Sequence, residues 1–274
     1  PVLNVVMNNR DHRKIAVIDG HTAFTGGINL ADEYINKKMR FGHWKDSGVW
    51  IHGDAVWTFT VMFLQMWSVI TGAACEFDKY RPHMYHMGEF QADGLVQPYG
   101  DSPMDSETVG ASVYLNMINY AKRYLYIFTP YLIPDNETLT ALCQAAKRGV
   151  DVRIVTPAIP DKKSVFLLTQ AYYEPLMESG VKIYQYLPGF IHSKSFVCDD
   201  EMATCGTFNV DYRSLYLHFE CGVFFYKNSS VLQIKEDALN TFEVSEKMTL
   251  DWVRSRPLAV RFAQSVLRLF APML

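Results

Sequence analysis

Short apolar runs separated by glycines and charged residues dominate the chain, and two of these runs recur in the same setting. Ile15–Ile18 and Ser195–Cys198 each predict a short strand that turns into a second strand of a hairpin. Each hairpin then leads through a polar stretch to a further strand and a helix, predicted at 48–52 and 54–70, and at 220–226 and 229–246. The pattern therefore predicts the same structural unit twice.

A regular alternation of helical and extended patterns precedes the second hairpin. It predicts helices at 106–121, 136–147 and 164–179, and strands at 124–129, 150–156 and 181–186. Such a β-α-β-α-β order favours parallel pairing within one sheet. Only 11 residues precede the first motif, so we expect the equivalent half of the first lobe to be missing from this chain.

These patterns predict an α/β fold of two pseudo-repeat lobes, with mixed β-sheets sandwiched by helices and a first lobe truncated at its N-terminus. The expected divisions are the C-terminal part of the first lobe at 1–80, a linker rich in Gly, Pro, Asp and Met at 81–105, the second lobe at 106–250, and a C-terminal amphipathic helix at 251–274. Within it, residues 257–274 have an apolar face and no acidic residue. This segment suits either an anionic membrane interface or packing on its own domain.

Composition narrows the class of protein. The 274 residues are 49% hydrophobic and 20% charged, with a net charge of −3, which is typical of a globular protein and disfavours a strongly basic nucleic-acid binder. The five cysteines have no pairing pattern, so we expect reduced thiols. Residues 55–75 carry no charge and are long enough to span a bilayer, but Gln65 and several hydroxyl side chains favour a buried helix, so no transmembrane segment is expected.

Both hairpins carry the same polar residues in the pattern H-x-K-x4-D-x6-G-[GT]-x-N. The first copy has His12, Lys14, Asp19, Gly27 and Asn29, and the second has the same types 180 positions later, except that Thr replaces Gly: His192, Lys194, Asp199, Thr207 and Asn209. A His and a Lys two apart on a strand point to the same face. Two such pairs related by a pseudo-twofold axis would surround one cationic pocket.

That pocket suits a phosphodiester. Lysine and asparagine side chains hold nonbridging oxygens and stabilise the transition state. One histidine attacks phosphorus while the other transfers protons. The motif aspartates, together with Asp46 and Glu220, are expected to fix the imidazole tautomers. No acidic residue of the set has the spacing of a metal ligand, so neither a metal nor a cofactor is expected.

The duplicated motif resembles the HKD motif of the phospholipase D superfamily. The runs DHRKIAVIDGHTAFTGGINLADEY, TPYLIPDNETLTALCQAAKRGVDVRIVTP and ESGVKIYQYLPGFIHSKSFVCDD are similar to bacterial cardiolipin synthases. The resemblance implies that two phosphatidylglycerol molecules are joined into cardiolipin and glycerol through a phosphohistidine. It implies His12 as nucleophile and His192 as acid and base, although near-symmetry allows the reverse.

The resemblance also implies further roles and a location. The phosphate would be bound by Lys14, Lys194, Asn29 and Asn209, beside Gly27 and Thr207, while Glu220 and Asp46 would be the acidic partners of the histidines. Phosphatidylglycerol, cardiolipin and a membrane surface would be the partners, with no nucleic acid, at the cytoplasmic side of a bacterial cell membrane. Two alternatives stay open: hydrolysis of a phospholipid or nucleic acid, and a non-catalytic fragment.

Overall fold

The computed structural model describes residues 9–82 and 93–273. The strands are β1 (Ile15–Ile18), β2 (Thr22–Gly26), β3 (His43–Lys45), β4 (Gly48–His52), β5 (Leu95–Asp101), β6 (Tyr124–Phe128), β7 (Leu132–Ile133), β8 (Asp151–Pro157), β9 (Lys182–Tyr186), β10 (Gly189–Ile191), β11 (Ser195–Cys198), β12 (Met202–Gly206), β13 (Val210–Asp211), β14 (Glu220–Tyr226) and β15 (Ser245–Lys247). The α-helices are α1 (Val56–Thr71), α2 (Val109–Tyr120), α3 (Asn136–Lys147), α4 (Lys163–Ala171), α5 (Tyr173–Glu178), α6 (Tyr212–Tyr216), α7 (Ser229–Glu243), α8 (Leu250–Arg254) and α9 (Leu258–Leu269).

An eight-stranded mixed sheet forms the second lobe, in the order β15-β9-β8-β6-β11-β12-β14-β5. Its strands β6, β8 and β9 are parallel, as the β-α-β-α-β pattern predicted, and β11, β12 and β14 continue it in antiparallel pairs. The motif strand β11 therefore lies in the middle of the sheet. Because β11 runs against β6, its first residue lies beside the C-terminal end of β6, which is where the second motif begins.

The first lobe is built on the smaller antiparallel sheet β1-β2-β4 and on α1. Its core residues Ala23, Ile51 and Phe59 belong to the same hydrophobic cluster as Val197 and Val223 of the large sheet. The two lobes thus share a core. Among the described residues no strand pairs with the outer edge of β1, whereas its counterpart β11 pairs there with β6.

Two elements differ from the predicted ones. Residues 95–101, which the Gly and Pro content placed in the linker, form the edge strand β5 and pair with β14 over seven residues. An edge strand tolerates Pro98, because a proline can leave its outward side unpaired. The predicted helix 164–179 is two helices, since Pro175 has no N–H to donate to the preceding turn and is accommodated only in the first turn of α5.

Other expectations concern single segments. In the described part of the chain, none of the helices combines the length and the hydropathy that a bilayer crossing requires. All five cysteines are free thiols. Residues 83–92 of the predicted linker, including His83 and His86, lie outside the described residues.

Candidate active site

Each motif histidine is docked by its backbone onto the opposite lobe. The N–H of His12 donates to the carbonyl of Phe219 at 2.9 Å, and the N–H of His192 donates to the carbonyl of Lys45 at 2.6 Å. Beside them, β10 pairs in parallel with β3, and Asp11 forms a parallel bridge with Phe219. Equivalent contacts on both sides bring the two motifs together at the junction of the lobes.

The acidic partners are exchanged between the lobes. Nδ1 of His192 lies 2.7 Å from Oδ2 of Asp46, and Nδ1 of His12 lies 3.3 Å from Oε1 of Glu220. Each histidine therefore faces a carboxylate from the other sequence copy. That acidic residue directly follows the residue whose carbonyl accepts the histidine N–H. A carboxylate at Nδ1 selects the tautomer whose Nε2 carries a free lone pair, which is the nitrogen available for catalysis.

The two pairs differ in exposure. The side chain of His192 is 13% exposed and that of Asp46 4%, whereas that of His12 is 38% exposed. Burial lowers the pKa of His192 to about 4, helped by the charge of Lys194 and opposed by Asp46. Burial raises the pKa of Asp46, but the hydrogen bond from His192 and the charge of Lys194 outweigh it and leave the pKa below its usual value. At neutral pH the pair therefore consists of a neutral His192 imidazole hydrogen-bonded to the Asp46 carboxylate.

Two ammonium groups stand next to the histidines. Nζ of Lys14 donates to the carbonyl of His12 at 2.6 Å, and Nζ of Lys194 donates to the carbonyl of His192. Each ammonium has further protons to offer a ligand. Burial lowers the pKa of Lys194 to about 8, although Asp46 favours its charged form. The pocket has the cationic character that the motif predicted.

The glycine and threonine positions of the motifs support this frame. Gly27 donates its N–H to Ser47 at 3.0 Å, and Thr207 donates its N–H to Cys221 at 2.9 Å, in equivalent contacts. A Cβ at Gly27 would collide with the carboxylate of Asp46, so a larger residue here would displace that carboxylate from its place beside His192. The Thr207 hydroxyl accepts from the Cys221 N–H at 2.9 Å and thereby fixes the backbone beside Glu220.

The two asparagines differ in their surroundings. Asn209 is buried and its side chain hydrogen-bonds Asp211, whereas Asn29 lies on a half-buried loop two residues after Gly27. Neither is shown to contact the histidines. Their phosphate-binding role, like the substrate roles of Gly27 and Thr207, stays a proposal.

The motif aspartates lie away from the histidines, which corrects the expectation that they fix the imidazole tautomers. Asp199 follows the far end of β11, and its carboxylate accepts the backbone N–H groups of Lys122, Arg123 and Tyr124 at 2.7–2.9 Å. Asp19 lies exposed in the turn between β1 and β2 with a φ of 53°. A strand of four residues separates each aspartate from the lysine of its motif. The aspartates therefore act in the turns that follow β1 and β11.

Replacement of Asp199 is therefore expected to act on stability. Asp199→Ala removes the buried acceptor of three backbone N–H groups, of which that of Tyr124 is buried, and should lower the free energy of unfolding by roughly 3 kcal/mol. Activity per folded molecule should stay within about twofold of the parent, since no reacting group moves. Urea unfolding and turnover of the folded fraction measure the two effects, with Asp19→Ala as the matched control at the exposed turn. A large loss of activity without loss of stability would contradict this assignment.

Aromatic and histidine side chains near the site were not predicted as part of it. The Trp44 ring lies 4.9 Å from that of His192, and its Nε1–H donates to Asp46 Oδ2 at 3.3 Å. Trp44 lies two residues before Asp46, and the equivalent position two residues before Glu220 is His218. The centre of the His218 ring lies 4.2 Å from that of His12. The spacing of Trp44 and His218 from the acids is the one signal in the sequence that could have identified them.

The geometry also predicts a pH dependence. Lys194 carries its charge below a pKa of about 8 and loses it as the pH rises, so kcat/KM for an anionic phosphodiester should fall through that range. Lys194→Arg keeps the charge and should move the alkaline fall to higher pH, with Lys14→Arg as the matched control. A pH–rate profile of the three proteins measures this. An alkaline fall at the same pH in Lys194→Arg would show that another group is responsible.

Known proteins resemble this chain in sequence. A family profile described as cardiolipin synthase, PLD-like domain, matches residues 114–242. A cardiolipin synthase of Geobacillus sp. (strain WCH70) is 41% identical over the whole chain, which covers 54% of that protein. An uncharacterized protein of Streptococcus mutans is 48% identical, again over the whole chain, and 59% of it is covered. The chain thus spans somewhat more than half the length of these curated relatives.

A solved structure shows the same fold. The phosphatidylserine synthase of Haemophilus influenzae Rd KW20 superposes with a TM-score of 0.71 over all of this chain and 73% of that one, at 16% identity. The superposition includes both motif lobes of this chain. In its duplicated motif and in these matches, the chain is similar to the cardiolipin synthases, and it shares the fold of the phosphatidylserine synthase.

Proposed function

We propose that the protein is a phosphatidyltransferase that joins two phosphatidylglycerol molecules into cardiolipin and releases glycerol. The observation that carries this proposal is the pair of exchanged His–carboxylate contacts, each with a lysine ammonium bound to the histidine carbonyl. Two imidazoles provide one nucleophile and one proton carrier, which is what a two-step transfer at phosphorus requires.

The proposed reaction has two displacements. One imidazole Nε2 attacks phosphorus, the P–O bond to the glycerol headgroup breaks, and the other imidazole gives its proton to the leaving oxygen. That second imidazole then takes the proton from a hydroxyl of another phosphatidylglycerol, whose oxygen displaces the histidine from phosphorus. The lysines stabilise the charge on the nonbridging oxygens in both steps.

Which of the two histidines attacks phosphorus is a separate question. The family resemblance implies attack by His12, whereas the lowered pKa of His192 keeps its Nε2 unprotonated, as a nucleophile requires. We propose that one of these two rings alone becomes phosphatidylated. Trapping the intermediate assigns it.

A lipid substrate is supported by an apolar groove beside the first motif. The groove has a volume of about 670 Å³ and extends from Lys14 over Phe24, Ile28, Leu30 and Trp50. These four apolar side chains are between 44% and 101% exposed. A groove of this kind next to a phosphate-binding lysine suits acyl chains better than the polar backbone of a nucleic acid.

A membrane surface is supported by α9. The helix packs through Gln264, which donates to the Leu167 carbonyl at 3.1 Å, yet Leu258, Phe262 and Leu269 are 72–80% exposed. We propose that this face lies in the interface of the bacterial cell membrane, on its cytoplasmic side, where phosphatidylglycerol is the substrate.

Product analysis tests the proposal. The protein is incubated with radiolabelled phosphatidylglycerol in mixed micelles, and cardiolipin, phosphatidic acid and glycerol are quantified. We expect cardiolipin and glycerol in equal amounts. Phosphatidic acid without cardiolipin would replace the proposal by phospholipid hydrolysis, and the absence of any lipid product would support a non-catalytic chain or another phosphodiester substrate.

A further inference from the structure

Three potential metal ligands meet at the second lobe's side of the site. The side chain of His218 is 6% exposed, and its Nδ1 lies 3.6 Å from Oε1 of Glu220. Nδ1 of His12 lies 3.3 Å from the same oxygen. One buried carboxylate oxygen therefore faces two imidazole nitrogens.

These spacings exceed the about 2.7–2.9 Å of a charge-assisted hydrogen bond, so the Glu220 carboxylate orients the His12 ring only loosely. Both carboxylate oxygens of Glu220, and Nδ1 of His218, are buried without a well-formed hydrogen bond among the described residues; Glu220 has only contacts of poorer geometry with His12, His218 and Thr207. Buried polar atoms in this state indicate a water or an ion that the protein atoms alone do not represent. The opposite pair, with 2.7 Å between His192 and Asp46, is a closed hydrogen bond.

The spacings match those between ligands of one metal ion. Ligands bound to tetrahedral zinc at about 2.0–2.1 Å lie about 3.3 Å from one another. The three ligand atoms of His12, His218 and Glu220 already lie within 4.8 Å of one another. Small side-chain rotations would close the site. Two imidazoles and one carboxylate are a ligand set that zinc uses when a fourth position stays open.

We propose that His12, His218 and Glu220 form a reversible binding site for one divalent transition metal ion such as Zn²⁺. The equivalent place beside His192 holds Trp44, whose indole N–H is a donor and offers no ligand atom, so the site exists on one side only. The ion takes the Nδ1 lone pair of His12 and the charge of Glu220. On the proposed function, which needs both groups, bound metal inhibits the enzyme.

Metal binding is measured directly on the purified protein after removal of any histidine tag. Calorimetry with Zn²⁺ should give one ion per chain, and Co²⁺ should give the d–d absorption of a tetrahedral complex. His218→Asn should weaken binding by about 100-fold, since it removes one of three protein ligands. His218→Gln serves as a second variant if the first does not fold. The matched control, His21→Asn with His52→Asn, removes another pair of neighbouring histidines whose rings lie 5.0 Å apart.

The outcomes separate the site from the function. Zn²⁺ binding that is lost in His218→Asn and kept in the control supports the site, whether or not cardiolipin is formed. The proposed site is overturned if the parent protein does not bind Zn²⁺ stoichiometrically, or if His218→Asn binds Zn²⁺ as tightly as the parent. Where cardiolipin is formed, added Zn²⁺ should stop it and a chelator should restore it, while turnover that continues at saturating Zn²⁺ would overturn the inhibitory role.

Discussion

On the proposed function, replacing either motif histidine by alanine is expected to lower cardiolipin formation by at least about 10³-fold, because each ring carries a step that no neighbouring group can take over. The two losses should be similar in size, since both rings act in one shared site at the junction of the lobes. Initial rates with labelled phosphatidylglycerol measure the effect, with circular dichroism confirming the fold.

His43→Ala is the matched control for these variants. His43 is exposed, and its Nδ1 contacts the hydroxyl of Tyr186 at 2.9 Å, outside the pocket. It should retain activity within about twofold. If either His12→Ala or His192→Ala kept more than a tenth of the parent rate, the shared two-histidine site would be wrong.

The exchanged carboxylates give the second large effect. Asp46→Asn and Glu220→Gln should each lower activity by about 10²–10⁴-fold, because an amide no longer holds the imidazole in its productive tautomer. The exchange also predicts which ring each variant disturbs. Asp46→Asn should change the ¹⁵N shifts of His192 and Glu220→Gln those of His12.

These assignments are tested by nuclear magnetic resonance of protein with ¹⁵N-labelled histidine. His43 is the internal control, because its ring contacts neither carboxylate. A change at His12 in Asp46→Asn, with His192 unaffected, would mean that each motif pairs with the acid of its own copy, and the exchanged arrangement would be refuted.

Much of this architecture follows from local sequence. The motif strands Ile15–Ile18 and Ser195–Cys198 have the predicted bounds because each is an apolar run closed by a turn with left-handed residues such as Asp19 and Asp199. The parallel strands β6, β8 and β9 follow from their alternation with helices. Repetition at a constant offset was enough to predict one site made by two motifs.

What the sequence could not provide depends on contacts between the copies. Asp46 and Glu220 were recognised as acidic partners, but which histidine each one faces is fixed by β10 pairing with β3 and by Asp11 pairing with Phe219. The motif aspartates were expected at the histidines because they recur in the motif. In the structure Asp199 instead binds the backbone at the start of β6, and a local pattern cannot distinguish these roles.

Trapping the covalent intermediate tests the central claim most directly. The protein is mixed with phosphatidylglycerol labelled with ³²P, denatured without acid within a single turnover, digested and mapped by mass spectrometry. The proposed reaction predicts a phosphatidyl group on one histidine, His12 or His192, and its conversion to cardiolipin when unlabelled phosphatidylglycerol is added before the quench. Cardiolipin formation with no label on either ring, or label on another residue, would contradict transfer through a phosphohistidine in this site.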